Sequence, residues 1–138
     1  MRYLTDRKRA VGKGASGTGP EHHWWMSASA VALAFMIPTW LYIVGTTLGA
    51  DQQTVITTFS QPFPAILTAL VVIVGMRHFA KGTEIWIEDY IHGTAAKATK
   101  IAMHSLAYVI MATALYALGK IGVSGLLLGY WTGRVNGC

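Results

Sequence analysis

The residues best suited to chemistry lie in one stretch, His78-Phe79-Ala80-Lys81-Gly82-Thr83-Glu84-Ile85-Trp86-Ile87-Glu88-Asp89-Tyr90, at the inner end of an apolar segment. Ionisable side chains are costly in a bilayer and face a partner, a cofactor or water when they occur there. A neutral imidazole such as that of His78 is a good axial ligand for haem iron. A tyrosine hydroxyl, here Tyr90, can donate a hydrogen bond to a carbonyl oxygen of a lipophilic ligand. The neighbouring Asp89 carboxylate could relay a proton or orient a cation.

Helical periodicity sets which of these residues act together. Positions i, i+4, i+7 and i+11 share a face, which from His78 gives Gly82, Ile85 and Asp89, with Gly75 one turn earlier. Glycines on both sides of a histidine clear room either for a bulky planar group or for a closely approaching helix. Arg77 is placed to approach a haem propionate or anionic headgroups. One histidine ligates one face of a haem, so a six-coordinate haem needs a second from a partner chain. The competing reading is structural: His78 is a satisfied interfacial histidine, with Arg77 and Lys81 snorkelling at the helix end. Asp89 and Tyr90 are then a solvated acid beside an interfacial anchor. Spacing alone leaves both readings open.

The elements that must position these groups are membrane helices. Of 138 residues, 53% are hydrophobic and 12% charged, against about 25% charged in an ordinary soluble domain. No charge occurs between Glu21 and Asp51, between Asp51 and Arg77, or between Lys100 and Lys120. A span takes roughly 17–25 mostly apolar residues. The chain is therefore expected to be an all-α membrane protein of three transmembrane helices, over about 24–48, 64–90 and 97–120. Residues 1–20 are expected to form a basic, glycine-rich tail, and 21–138 the anchor domain. Pro38 falls inside the first span and is expected to kink it, Pro62 and Pro64 start the second, and Gly119, Gly122 and Gly125 blur the end of the third. Residues 49–61 read as a short connection.

The net charge of +5 is no nucleic-acid signal, because the cations flank the spans. Arg2, Arg7, Lys8, Arg9 and Lys13 precede the first span, while Arg77, Lys81, Lys97 and Lys100 flank the second connection. The positive-inside rule then places the amino terminus in the cytoplasm and the carboxyl terminus outside. Lys120 and Arg134 are the exceptions. Cys138 is the sole cysteine, so no intrachain disulfide or cysteine metal site is available. Small residues such as Ser27, Ser29, Ala107 and Ala112 favour close helix packing in lipid. Three helices make a thin bundle, expected to pack against other membrane helices rather than form a pore. A small transporter is a distant alternative, since these spans offer no polar pathway.

The pattern His78-x10-Asp89-Tyr90, with Gly82 four residues after the histidine and His92-Gly93 following, resembles the small hydrophobic membrane anchors of succinate dehydrogenase, respiratory complex II. The opening residues 1–9 and Gly17-Thr18-Gly19-Pro20-Glu21-His22-His23-Trp24-Trp25 are similar to the alphaproteobacterial branch of that family. The resemblance covers nearly the whole chain. It implies a bacterial cytoplasmic-membrane complex with a flavoprotein subunit, an iron–sulfur subunit and a second, sister membrane anchor, passing electrons from succinate to ubiquinone. It also implies that His78 is an axial ligand of haem b, shared with the sister anchor, and that Tyr90, with Asp89 beside it, contacts the quinone. The alternatives are a haem-free structural tether and a fumarate reductase anchor. His22 and His23 read as interfacial, His92 as solvent- or partner-facing, and His104 as a packing residue and the main rival ligand to His78.

Overall fold

A computed structural model describes residues 5–12, 14 and 19–135, with only the helical backbone described for 19–22 and 130–135. Five helices follow in order: α1 (Asp6–Val11), α2 (Gly19–Thr47), α3 (Gln52–Ser60), α4 (Pro62–Tyr90) and α5 (Gly93–Val135). No strand occurs among the described residues. Three of the helices are long and apolar enough to cross a membrane, over His23–Thr47, Pro62–Tyr90 and Gly93–Gly129.

Each helix boundary has a local cause. Thr5 caps α1 by accepting from Lys8 N at 3.3 Å. The remainder of the basic tail, residues 1–4, 13 and 15–18, lies outside the described residues, as does Cys138. The first span, His23–Thr47, falls close to the expected 24–48, while its helix already begins at Gly19 and runs without a break through Pro38. Proline there has no N–H to give the preceding turn, while the next residue, Thr39, donates its hydroxyl to the Phe35 carbonyl at 2.9 Å. The connection expected over 49–61 contains a helix. Asp51 caps α3 through Gln53 N, and Gln61 ends it in extended conformation before Pro62 opens α4. α5 does not stop at its glycines. Its 43 residues are about 64 Å long at 1.5 Å each, more than the roughly 40–45 Å of a bilayer with its headgroups.

The helices lie as a layer with α4 in the middle. α4 packs against α2 on one side and α5 on the other, and α2 and α5 make no contact among the described residues. α3 packs against α5, with Ser60 at Ile121 and Gly125. The buried apolar set is correspondingly small: Leu33, Leu67, Ala80, Ile87 and Ala107. Large apolar side chains such as Phe35, Tyr42, Ile66, Tyr116 and Leu126 point outward. In lipid, apolar surface does not drive helices together, so close packing of small residues and hydrogen bonds must do so. Both are present at the seams. Trp40 Nε1 donates to Thr68 Oγ1 at 3.2 Å across α2 and α4, and the Thr68 hydroxyl donates in turn to the Pro64 carbonyl at 2.7 Å.

Candidate functional site

His78 sits on the α2 side of α4. Its Nδ1 is 2.8 Å from Ser29 Oγ, and that hydroxyl is also 3.0 Å from the Met26 carbonyl of its own helix. Ser29 is only 6% exposed. The two glycines expected to clear space beside the histidine do so for the neighbouring helix. A Cβ at Gly82 would meet Met26 Cε at 3.7 Å, and one at Gly75 would meet Leu33 Cδ2 at 3.9 Å. Met26, Ser29 and Leu33 therefore line up against Gly82, His78 and Gly75 in one close seam. The His78 Nε2 has no hydrogen-bond partner among the described residues.

Arg77 stacks its guanidinium over the Trp25 ring, 5.3 Å from the centroid. It has no acidic partner among the described residues. This cation–π contact leaves its positive charge uncompensated. Arg77, Lys81, His104 and Tyr108 border a cleft of about 60 Å³ between α4 and α5. That is room for a water or two, not for a porphyrin.

His104 is placed differently. Its Nδ1 faces the Lys100 carbonyl at 3.0 Å, and its Nε2 faces Glu84 Oε1 at 3.5 Å. Glu84 in turn holds Lys81 Nζ at 2.8 Å, and Lys100 Nζ reaches Glu88 Oε1 at 2.6 Å. These groups form a ladder of ion pairs clamping α4 to α5. With both ring nitrogens engaged, His104 is a worse candidate ligand than His78. A carbonyl can only accept, so Nδ1 carries a proton, and Nε2 approaches the Glu84 carboxylate favourably when it too is protonated.

Asp89 and Tyr90 end α4 in the open. Tyr90 is 71% exposed, and neither its hydroxyl nor the Asp89 carboxylate has a partner among the described residues. The Tyr90 ring packs on Trp86 with centroids 5.7 Å apart and planes tilted by 32°. Twelve residues at 1.5 Å each separate His78 and Tyr90 by about 18 Å along the axis, so no single pocket joins them within this chain. His23 is exposed, His92 is exposed beyond the α4 end, and the His22 side chain lies outside the described residues. Met76 and Met111 line the cleft and Met103 is half-buried, each beside packed neighbours. No cluster of three or more metal-ligating side chains exists among the described residues.

Sequence reasoning missed Ser29 as more than a small packing residue, and missed Glu84 and Trp86 as partners of the site. Lys81 and Glu84 at i and i+3 were a readable signal for an ion pair. Nothing in the spacing of Ser29 and His78, 49 residues apart, announces their contact.

Comparison with known proteins supplies the family. Residues 1–119 match the succinate dehydrogenase/fumarate reductase transmembrane subunit family. The chain is 43% identical over 128 residues to the succinate dehydrogenase hydrophobic membrane anchor subunit of Paracoccus denitrificans, covering 93% of this chain and 99% of that one. No solved structure matches it. With three membrane-length apolar helices and a match over most of its length, this chain belongs to the succinate dehydrogenase/fumarate reductase transmembrane subunit family, as a multi-pass membrane anchor.

Proposed function

We propose that this chain anchors a succinate dehydrogenase in the bacterial cytoplasmic membrane, amino terminus in the cytoplasm and carboxyl terminus in the periplasm. It docks the flavoprotein and iron–sulfur subunits, pairs with a second membrane anchor, gives His78 as one axial ligand of a shared haem b, and gives Tyr90 with Asp89 to a ubiquinone site. Beside family membership, the observation that carries the ligand role is the state of His78. Its Nδ1 is engaged by Ser29 in a packed seam while Nε2 stays without a partner among the described residues, which suits a ligating imidazole. The cleft beside Arg77, at about 60 Å³, is too small for a haem, and the helix layer leaves its broad faces open. That supports a haem held between this layer and the second anchor. Arg77, with no acidic partner among the described residues, is suited to a propionate.

Bound there, a haem would supply a one-electron store near the quinone. The chain's own residues do the rest. The exposed Tyr90 hydroxyl donates to a quinone carbonyl oxygen and stabilises the charge that grows on it during reduction. Trp86 restricts the Tyr90 ring from one side. Asp89, solvated beside it, takes up or hands on protons. The test is Tyr90→Phe in the assembled complex, comparing succinate oxidation with ubiquinone or with a soluble dye as acceptor. Quinone reduction should fall on the order of a hundredfold, as on losing one preorganised donor, while dye reduction and haem are retained. Undiminished quinone reduction would remove Tyr90 from the site. Fumarate reduction favoured over succinate oxidation in assays run both ways would instead mark a fumarate reductase anchor.

A further inference from the structure

Ser29 is the buried polar side chain of the α2–α4 seam. Its hydroxyl has one proton to give and lone pairs to receive with. It touches two groups, the Met26 carbonyl at 3.0 Å and His78 Nδ1 at 2.8 Å. The carbonyl can only accept. If the serine gave its proton to Nδ1, two oxygens 3.0 Å apart would face each other with no hydrogen between them. Both contacts are hydrogen bonds in one arrangement only: Nδ1–H donates to Ser29 Oγ, and Ser29 Oγ–H donates to Met26 O. Thr68 follows the same pattern on the same pair of helices, and there the direction is forced, because the Trp40 indole can only donate.

This relay has a consequence for His78. A neutral imidazole protonated on Nδ1 carries its lone pair on Nε2, the nitrogen without a partner among the described residues. We infer that Ser29 is a positioning residue for His78: backed by the Met26 carbonyl, it selects the Nδ1–H tautomer and fixes the ring so that Nε2 is the coordinating atom. The inference rests on the reading of His78 as a haem ligand. Packing supports it, since the contacts of Met26 with Gly82 and Leu33 with Gly75 hold α2 at a set distance one turn to either side. The α2 helix thereby contributes to the haem centre through Ser29. A hydrogen bond donated by the non-coordinating N–H raises ligand basicity, and removing such an outer partner typically costs about 10–100-fold in metal affinity.

The experiment is redox titration and low-temperature electron paramagnetic resonance of the haem in detergent-solubilised complex, for wild type, Ser29→Ala, Ser29→Thr and His78→Ala, after co-purification of the partner subunits is confirmed. Ser29→Ala should raise the haem midpoint potential, shift its low-spin signal, and lower haem retention by about tenfold or more under dilution. Ser29→Thr keeps a hydroxyl able to bond a carbonyl in the preceding turn and should restore all three. If His78→Ala loses haem while Ser29→Ala keeps the wild-type potential, signal and retention, the role of Ser29 is overturned and that of His78 stands. If assembled wild type holds no haem, or His78→Ala leaves it unchanged, the ligand reading fails and this inference with it. Should Ser29→Ala not assemble, Ser29→Cys, with its weak sulfur acceptor, reads the same signals, and an unchanged potential and spectrum in that variant would overturn the role equally.

Discussion

Gly125 offers a sharp test of how the α3–α5 contact is built. A Cβ at this position would overlap both Oγ and Cβ of Ser60. The Ser60 hydroxyl reaches the Ile56 carbonyl at 2.6 Å within α3 and the Ile121 carbonyl at 3.1 Å on α5. Alanine in place of glycine inside a helix ordinarily gains about 0.5–1 kcal/mol. Here overpacking opposes that gain by about 1–3 kcal/mol, and loss of the inter-helix hydrogen bond adds about 0.6 kcal/mol. Gly125→Ala should therefore lose roughly 0.6–3 kcal/mol net. Gly119 and Gly122 have nothing within 4 Å of a built Cβ, so the same substitution there should be neutral or gain about 0.5–1 kcal/mol. The assay is retention of the chain in detergent-solubilised complex after graded heating, read by size exclusion. Ser60→Gly should rescue Gly125→Ala, because it removes both overlapping atoms. Ser60→Ala, which keeps the Cβ, should not. Equal heat resistance of the three glycine variants, or full rescue by Ser60→Ala, would refute the proposed contact.

Other perturbations separate the two sides of α4. Glu84→Gln leaves Lys81 and His104 without their acid; the Lys81 side chain is 44% exposed, so screening limits the cost to about 0.5–2 kcal/mol. Heat resistance should drop while the haem spectrum is kept, and haem loss from an assembled complex would move the haem to the α5 side. Asp51 accepts from the Thr54 hydroxyl and the Gln53 amide, which holds its carboxyl below the usual carboxylate range. A lowered acid stabilises the fold fully above its unfolded value and loses that stabilisation as pH falls through the folded one. The Thr54 hydroxyl and the Gln53 amide use different carboxylate oxygens, and Asp51→Asn keeps only one acceptor oxygen. Its heat resistance should therefore fall below wild type near neutrality, with the difference shrinking as pH falls through the carboxylate range; equal heat resistance at neutral pH would contradict this.

Much of the architecture was legible because three charge-free runs of about the length a membrane span needs leave few alternatives. The parts that sequence misjudges have physical reasons. The α3 helix is short and rich in Thr, Val and Ile, residues that favour other conformations, yet its markers are present in Asp51 before it and Pro62 after it. The third span reads short because glycine usually ends helices in water. In α5 the helix passes through Gly119 and Gly122, and Gly125 makes room for Ser60. His78, Asp89 and Tyr90 stand out as polar residues in an apolar setting and through the family pattern. Ser29 does not, because a serine in a run of small residues reads the same whether it packs or positions a ligand. Only the fold brings it to His78.

The most direct measurement is a reduced-minus-oxidised optical spectrum of the complex captured through this chain, with His78→Ala and His104→Ala alongside. We expect a b-type signal in wild type and in His104→Ala, and its loss or shift in His78→Ala while the partner subunits still co-purify. An unaltered b-type signal in assembled His78→Ala, or no haem in the intact wild-type complex, would contradict the assignment of His78 as the haem ligand.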